Sequence, residues 1–565
     1  MRRARSVVAG ALLLLASAAW VPRAASAQAT GAAVDESAAS ALFVNPGNPQ
    51  ASDANPGTRE LPFRTISQAV SSALKRRARN TASRIEIYPG VYRESIDLGP
   101  GGNRNAAPII LEGAGNGRVT ISGANSWVGW RPLKPGVWTH QWPYAWGETA
   151  LPAGWESQHL KPIVLRREMI FVDGRALEQV VAPGAMQDQA GTFYVDELSR
   201  AIYIHPPAGL DAATANVEVA ERASLLRIHG QSNIVVRGLT FVDSNAFLQD
   251  AAVTVDNSFA IVIDNCAMDW NNWMGLSVRN SNVVTVEHSR ANFNGGAGMT
   301  LWRVTNLLFT NDQTSHNNWR GAAGGFLGWS VAGLKSLQIT NALYRDVVAV
   351  GNQSRGVWFD TDCTDIVIDH SYLCRNLTDG IFIEANQGPF AIDSSIICDN
   401  RQAGVLSGNS SGITLRGDIL YGNGKAQISV SGLYDTTRPM KEWKSGRTLM
   451  LQSENWTLAN DVIVSAASGQ ALISTTLSAR LWQAFVSTLN SRGNLWFSPA
   501  GRDGFQMAGG QRLDLAGWRQ ATGHDRDSVF ADPRFSDPAQ ANFKLDSGSP
   551  LAGRHLPVAP ANGSD

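Results

Sequence analysis

Glycine recurs at a fixed period and opens each unit of the chain. Gly356, Gly380 and Gly404 begin GVWFDTDCTDIVIDHSYLCRNLTD, GIFIEANQGPFAIDSSIICDNRQA and GVLSGNSSG, at spacings of 24 and 24 residues. Upstream, GLSVRN from Gly275 and GMTLWR from Gly298 repeat the opening at a spacing of 23. A period in this range marks a solenoid, because one unit cannot bury its apolar face alone and must stack on the next. The units hold short alternating apolar runs rich in β-branched residues, with Asn, Asp and Gly at the turns. No helical stripe fits between those turns. The expected fold class is therefore all-β, a right-handed parallel β-helix with one coil per repeat.

Counting from each glycine aligns the coils. One residue on stand Leu276, Met299, Val357, Ile381 and Val405, and three on stand Val278, Leu301, Phe359, Ile383 and Ser407. Side chains alternate faces along a strand, so these columns should point into the bore. The columns between them should face solvent. Two on stand Ser277, Thr300, Trp358, Phe382 and Leu406, and four on stand Arg279, Trp302, Asp360, Glu384 and Gly408.

Asp360 and Glu384 thus share a register on adjacent coils, about 4.8 Å apart at the strand spacing. Stacked like charges repel, and repulsion raises the pKa of one member. A retaining glycosidase uses such a pair, with carboxyl groups about 5–5.5 Å apart, whereas inversion needs about 6.5–9.5 Å. One carboxylate attacks the anomeric carbon and the other, protonated, assists the leaving oxygen. Outward acids on a β-helix also serve as solvated decoration or cation ligands. The outward aromatics Trp302, Trp358 and Phe382 favour a sugar site, since exposed rings bind flat apolar faces.

The segments RGVWFD and IFIEANQGPF resemble the two catalytic segments of family-120 glycoside hydrolases, β-xylosidases built on a β-helix with an inserted β-sandwich. The resemblance implies Asp360 as nucleophile, after a G-x-W-x motif. It implies Glu384 as acid/base one coil later, in an E-x-N-x-G-P motif completed by Asn386, Gly388 and Pro389. It is specific over about 40 residues and general elsewhere. A β-linked pentose such as xylose is the substrate it implies.

Residues 1–27 read as a secretory signal: a basic start, the apolar run VVAGALLLLASAAW and an A-x-A site at Ala25–Ala27. The run is too short to span a bilayer. Its removal takes away four arginines and no acid, so the net charge falls from 0 to −4. A weakly acidic surface argues against nucleic acid or an anionic membrane as partner. The chain is expected to be secreted or periplasmic and to act on an oligo- or polysaccharide.

With 565 residues, 54 glycines and 17% charged residues, the composition suits one large repeat domain with an insertion. The 18 tryptophans fit carbohydrate handling and core packing alike. Residues 28–126 read as an N-terminal cap and first coils, with an amphipathic helix from Ser67 to Arg77 plugging the bore. Residues 127–220 break the period and read as an inserted small β-sandwich or meander, where Arg167, Glu168 and Asp173 border either substrate or plain surface. Residues 221–490 form the coil core, and 491–565 a closing segment with a short helix near Leu515 to Thr522. Strands are expected up to TTLSARLWQ.

Gly298 and Gly356 are 58 positions apart, room for a coil from about Gly333 and a glycine-rich loop over the Asp360 face. Trp319, Arg320 and Trp329 are the candidates for its subsite wall. Lys335 falls in the column of Trp358, placed to bind a hydroxyl, to modulate Asp360 or to act as a base. Asn352, Asn376, Asn400 and Asn423 recur at one turn and read as a stacked amide ladder. Cys374 and Cys398 share a register, which leaves a disulfide and a packed thiol pair both open. No C-x-x-C or histidine cluster suggests zinc. The cofactor expectation is none, with calcium left open by Asp360, Asp362, Asp365 and Asp379. Two rival functions remain. One is a calcium-assisted polysaccharide lyase using Lys335 or Arg279 as base; the other is a non-catalytic glycan-binding β-helix.

Overall fold

The computed structural model describes residues 31–559 apart from 102, 188 and 500–503; the leader expected over 1–27 lies outside them. Two 13-stranded sheets and a seven-stranded sheet form the three long faces of a parallel β-helix, with a three-stranded sheet at its N-terminal end. Strands Met274–Arg279, Met299–Trp302, Ala332–Leu337, Arg355–Asp360, Ile381–Glu384 and Ala403–Gly408 follow one another in one face, all paired parallel. The coil expected from about Gly333 is therefore present.

The inward columns fill the bore. Leu276, Met299, Val357, Ile381 and Val405 are at most 3% exposed, and the column three residues on is fully buried. Each such aliphatic side chain removed from water contributes about 1.5–3 kcal/mol, and summed along the coils this is the main force holding the stack.

The glycine and asparagine periods are two halves of one device. Asn271, Asn294, Asn317, Asn352, Asn376, Asn400 and Asn423 form a continuous buried ladder, in which each side-chain oxygen accepts from the preceding coil's backbone N–H and amide. The ladder is longer than the four rungs read from the sequence and ends on Gln427. Each repeat glycine lies against a rung. A Cβ at Gly298, Gly333, Gly356, Gly380 or Gly404 would stand 2.6–2.7 Å from the side-chain nitrogen of Asn317, Asn352, Asn376, Asn400 or Asn423. The glycines are there for room.

Both ends of the bore are closed by helices. At the N-terminal end, Ile66–Arg77 starts at the Thr65 cap and buries Ile66, Ala69, Val70 and Ala73 in the main core. The Glu94 carboxylate accepts from the Ile66 and Ser67 N–H groups, 2.9 and 2.8 Å away, satisfying two orphan donors of the first turn. Near the other end the strand reading of TTLSARLWQ needs correction, because Ala479–Thr488 is an α-helix. Ser478 caps it, and Leu481, Trp482, Phe485 and Val486 form one buried stripe. The helix Leu515–Thr522 follows, with Trp518 fully buried.

Between coils, a five-stranded and a four-stranded sheet face each other across Trp130, Trp142, Ile170, Phe193, Ile204 and Val219. Cys374 and Cys398 form a disulfide, with Cα atoms 4.5 Å apart. Cys266 and Cys363 are buried free thiols. Two excursions then cover the outward face: the helix Trp319–Ala323 with its following loop, and an antiparallel hairpin of Arg438–Lys441 and Thr448–Leu451. Among the described residues no helix is long and apolar enough to cross a membrane.

Candidate active site

Asp360 and Glu384 are the last residues of adjacent paired strands, Arg355–Asp360 and Ile381–Glu384. Phe359 pairs with Ile383 and both enter the bore. The two carboxylates that follow therefore leave the sheet on its outer side, in the same register.

Each carboxylate has its own cation. Asp360 Oδ2 is 3.0 Å from Lys335 Nζ, while its Oδ1 accepts from the Thr361 N–H at 2.8 Å and hydroxyl at 2.9 Å. Glu384 Oε1 accepts from Arg438 Nη1 at 2.7 Å, and its Oε2 accepts from the Trp358 indole N–H at 3.1 Å. The bare like-charge repulsion expected from the register is thus offset by two basic residues.

Lys335 comes from the neighbouring strand, in register with Trp358. Its ammonium donates to the Trp329 carbonyl at 2.7 Å and lies 3.5 Å from the Trp358 ring centroid. Burial holds its pKa below the ordinary lysine range, against the opposite pull of Asp360 and Glu384. Arg355 lies over the rings of Trp358 and Phe382, 4.7 and 4.8 Å from their centroids, and 3.5 Å from Asp379. Its pKa is also lowered, first of all by burial. The Trp358 and Phe382 rings are 5.5 Å apart.

Several residues read as substrate contacts are placed otherwise. Trp358 is only 5% exposed; Lys335, Arg355 and Glu384 enclose it, so it positions a carboxylate rather than offering a bare ring. Asn386 is fully buried, accepting from the Cys363 N–H and donating to the Phe359 carbonyl; it ties two coils together. Trp302 sits two strands before Asp360, with Leu337 between, and donates to Gln338. Arg279 is one strand further, about 14 Å from Asp360 at the strand spacing. That is too far for a base acting beside the pair.

Trp319 and Arg320 also lie elsewhere. The Trp319 indole donates to the Phe293 carbonyl. Arg320, 1% exposed, donates to Gln179 Oε1 and the Glu168 carbonyl of the inserted sheets. It is a strut between insert and coils. Glu168 is fully buried against Arg166, and Arg167 donates to Asn245 beneath Phe247; both serve the same junction. Of this loop, Trp329 is the residue that reaches the pair, through Lys335, and it is 46% exposed.

The acids considered for calcium do not converge. Asp362 accepts from the Trp443 N–H at 2.7 Å, and Asp379 from the Ala403 N–H at 3.1 Å. Among the described residues no group of three or more His, Cys, Asp or Glu is arranged to hold a metal.

Arg438 and Arg355 escaped the sequence reading. Arg438 belongs to the hairpin after the repeat loosens, which packs Met440 against Ala385 of the Glu384 coil. Nothing periodic marks it. Arg355 has the parity of the inward Val357 and Phe359, so alternation hid it; its guanidinium nonetheless lies over the Trp358 and Phe382 rings.

Residues 224–434 match the family model described as a right-handed beta helix region. No curated protein matches the chain in sequence. Among solved structures it is similar to XylC in its complex with xylose, at 13% identity and a TM-score of 0.64, over 88% of this chain and 87% of that one. A chain described as a glycoside hydrolase aligns at 12% identity and TM-score 0.45, over 81% of this chain and 96% of that one. The Azotobacter vinelandii mannuronan C-5 epimerase AlgE6 A-module aligns at 13% and 0.42, over 83% and 94%. The chain is a right-handed parallel β-helix protein, and it shares that fold with XylC over most of both molecules.

Proposed function

We propose that this chain is a carbohydrate-active enzyme, a retaining glycoside hydrolase in which Asp360 is the nucleophile and Glu384 the acid/base. One observation carries the reading: two carboxylates stand in one register on adjacent strands, each charge-paired, beside Trp358 and Phe382. The strand spacing, about 4.8 Å, suits retention and leaves no room for the water that inversion needs. Asp360 attacks the anomeric carbon as Glu384 gives its proton to the leaving oxygen. Glu384 then takes a proton from water, which displaces Asp360. Lys335 pairs with Asp360 and orients it for the attack. Arg438 and the Trp358 indole hold Glu384 in place, and its contact with the leaving oxygen forms only when substrate is bound.

The likeness to a fold solved with xylose makes a β-linked pentoside the first substrate to try. Elimination with Lys335 as base is less well supported, because its ammonium is held by Asp360, the Trp329 carbonyl and the Trp358 face. Residues 1–27 act as a cleaved leader in this reading, which N-terminal sequencing of the exported protein would test.

The deciding experiment assays Asp360→Asn and Glu384→Gln on aryl β-glycosides. Both variants should stay folded and lose turnover, azide should rescue Glu384→Gln, and the first-formed product should keep the substrate's anomeric configuration. Undiminished cleavage in either variant, or an unsaturated product from uronic polysaccharide abolished by chelator, would overturn the assignment.

A further inference from the structure

Beyond Glu384 the outward face does not close. The column Trp358, Phe382, Leu406, Ser429, Ser474 runs on in register through three more strands, about 14 Å along the helix axis at the strand spacing. A groove of about 650 Å³ lies over its later members, Leu406, Ser429 and Ser474, and is bounded by Arg355, whose guanidinium covers Trp358 and Phe382, and by Arg512. Its floor is hydroxyl-rich, as sugar binding requires, but its charge is not balanced. Arg355, Lys425 and Arg512 line it, with Asp379 as the one acid among the described lining residues. Asp379 is already engaged by Arg355. Lys425 and Arg512 are exposed and in no ion pair within 4 Å among the described residues, although Lys425 lies near enough to Asp379 to act on its charge and Arg512 donates to the Gly469 carbonyl.

A chain with no net charge overall thus lines this groove with three cations to one acid. We infer that this groove binds the continuation of the glycan and selects a sugar unit bearing an anionic substituent, a carboxylate or a sulfate. Guanidinium groups suit both, offering two parallel N–H donors to two oxygens. A surplus of one sign in a walled groove also raises the local concentration of the oppositely charged ligand. The inference rests on the assignment of Asp360 and Glu384 as the reacting pair only for the direction in which the glycan runs; anion selection is a property of the groove itself.

The test is binding to the Asp360→Asn chain, which separates recognition from turnover. Three oligosaccharides of one backbone length are titrated: neutral, uronic-acid-substituted and sulfated. At least one anionic ligand should bind about tenfold tighter than the neutral one, and which of them does so identifies the substituent. The preference should shrink between about 50 and about 500 mM salt. It should vanish in the Lys425→Gln/Arg512→Gln variant and persist in Lys425→Arg, with melting unchanged in both. Equal affinity for all three ligands, or a preference that survives the double substitution, would overturn the inference. Anion preference without glycoside cleavage by wild type would instead leave the groove standing and remove the hydrolase.

Discussion

Glu384 and Arg438, 54 positions apart in sequence, are joined by a 2.7 Å charge-assisted hydrogen bond. It fastens a hairpin to the coil that carries one half of the proposed reacting pair. Arg438 is a positioning residue: its guanidinium fixes the Glu384 rotamer from one side while the Trp358 indole fixes it from the other. Arg438→Ala should lower kcat/KM by about 10²-fold, the scale of a misplaced catalytic group. The loss should fall mainly on kcat, and Arg438→Lys should restore part of it. Steady-state kinetics on an aryl glycoside reads both.

Lys335 and Asp360 are the more deeply buried pair, their side chains 9% and 18% exposed. Removing one member of such a pair strands the other charge. Lys335→Met should therefore destabilise the fold by about 3–5 kcal/mol. Adding Asp360→Asn to it should return most of that loss, since a neutral amide needs no counter-ion. A denaturant-unfolding cycle over the four proteins measures the coupling. Independent, additive effects would show that the contact contributes little.

The corner glycines make a steric prediction. At Gly380 an added methyl would stand 2.6 Å from both Asn400 Nδ2 and Ile397 Cγ2, and 2.8 Å from the Gly404 carbonyl oxygen. Gly380→Ala should cost about 1–3 kcal/mol. Gly184→Ala, with nothing within 4 Å of the new methyl, should be close to neutral. Asn376→Ala attacks the preceding corner, the one at Gly356, from the other side and orphans the Ala349 carbonyl and the Asn352 N–H. It should cost about 3 kcal/mol or more. Thermal melts of the three variants rank them.

Stability should also fall as pH rises, because of two acids inside the coils. Asp461 and Asp418 are both fully buried, and the Asp418 N–H donates to Asp461 Oδ1 at 3.0 Å. Burial, the largest cause for each, pushes Asp418 well above the usual carboxylate range and Asp461 up to about 8. A raised native pKa means that the folded state holds a proton the unfolded chain has lost. The contribution is complete below about pH 4 and disappears as pH climbs through about 8. Asp461→Asn keeps the acceptor and removes the charge. Its melting temperature should exceed wild type by most at high pH, with the gap closing toward roughly pH 4.

Wherever the fold is set by period, residues and structure agree. Leu276 to Val405 had to face inward because alternation and stacking leave no other place for them. The register of Asp360 with Glu384, and of Cys374 with Cys398, follows from the same counting. The amide ladder was visible at four asparagines; its first three rungs were hidden because the spacing jumps at the loop before Asn352. What could not be read is what the aperiodic chain does. Trp358 looked exposed because Lys335 and Glu384, which close over it together with Arg355, come from the coils on either side. Asn386 looked functional because it sits in a motif beside Glu384, yet it turns inward to serve the backbone. Arg438 and Arg320 act through contacts more than 50 residues away in sequence, which no local pattern records. The helix at Ala479–Thr488 was legible in principle, from Ser478 as a cap and apolar residues three and four apart.

Cohesion in this molecule passes from neighbour to neighbour, since every amide rung grips only the coil before it and the coil after. Pulled from its two ends, such a stack has no reason to give way all at once; it should peel turn by turn. Cys374 and Cys398 interrupt that peeling, because the disulfide rivets together the coil that ends its outer strand on Asp360 and the one that ends on Glu384. The two turns whose alignment the proposed chemistry needs are the two that cannot be drawn apart.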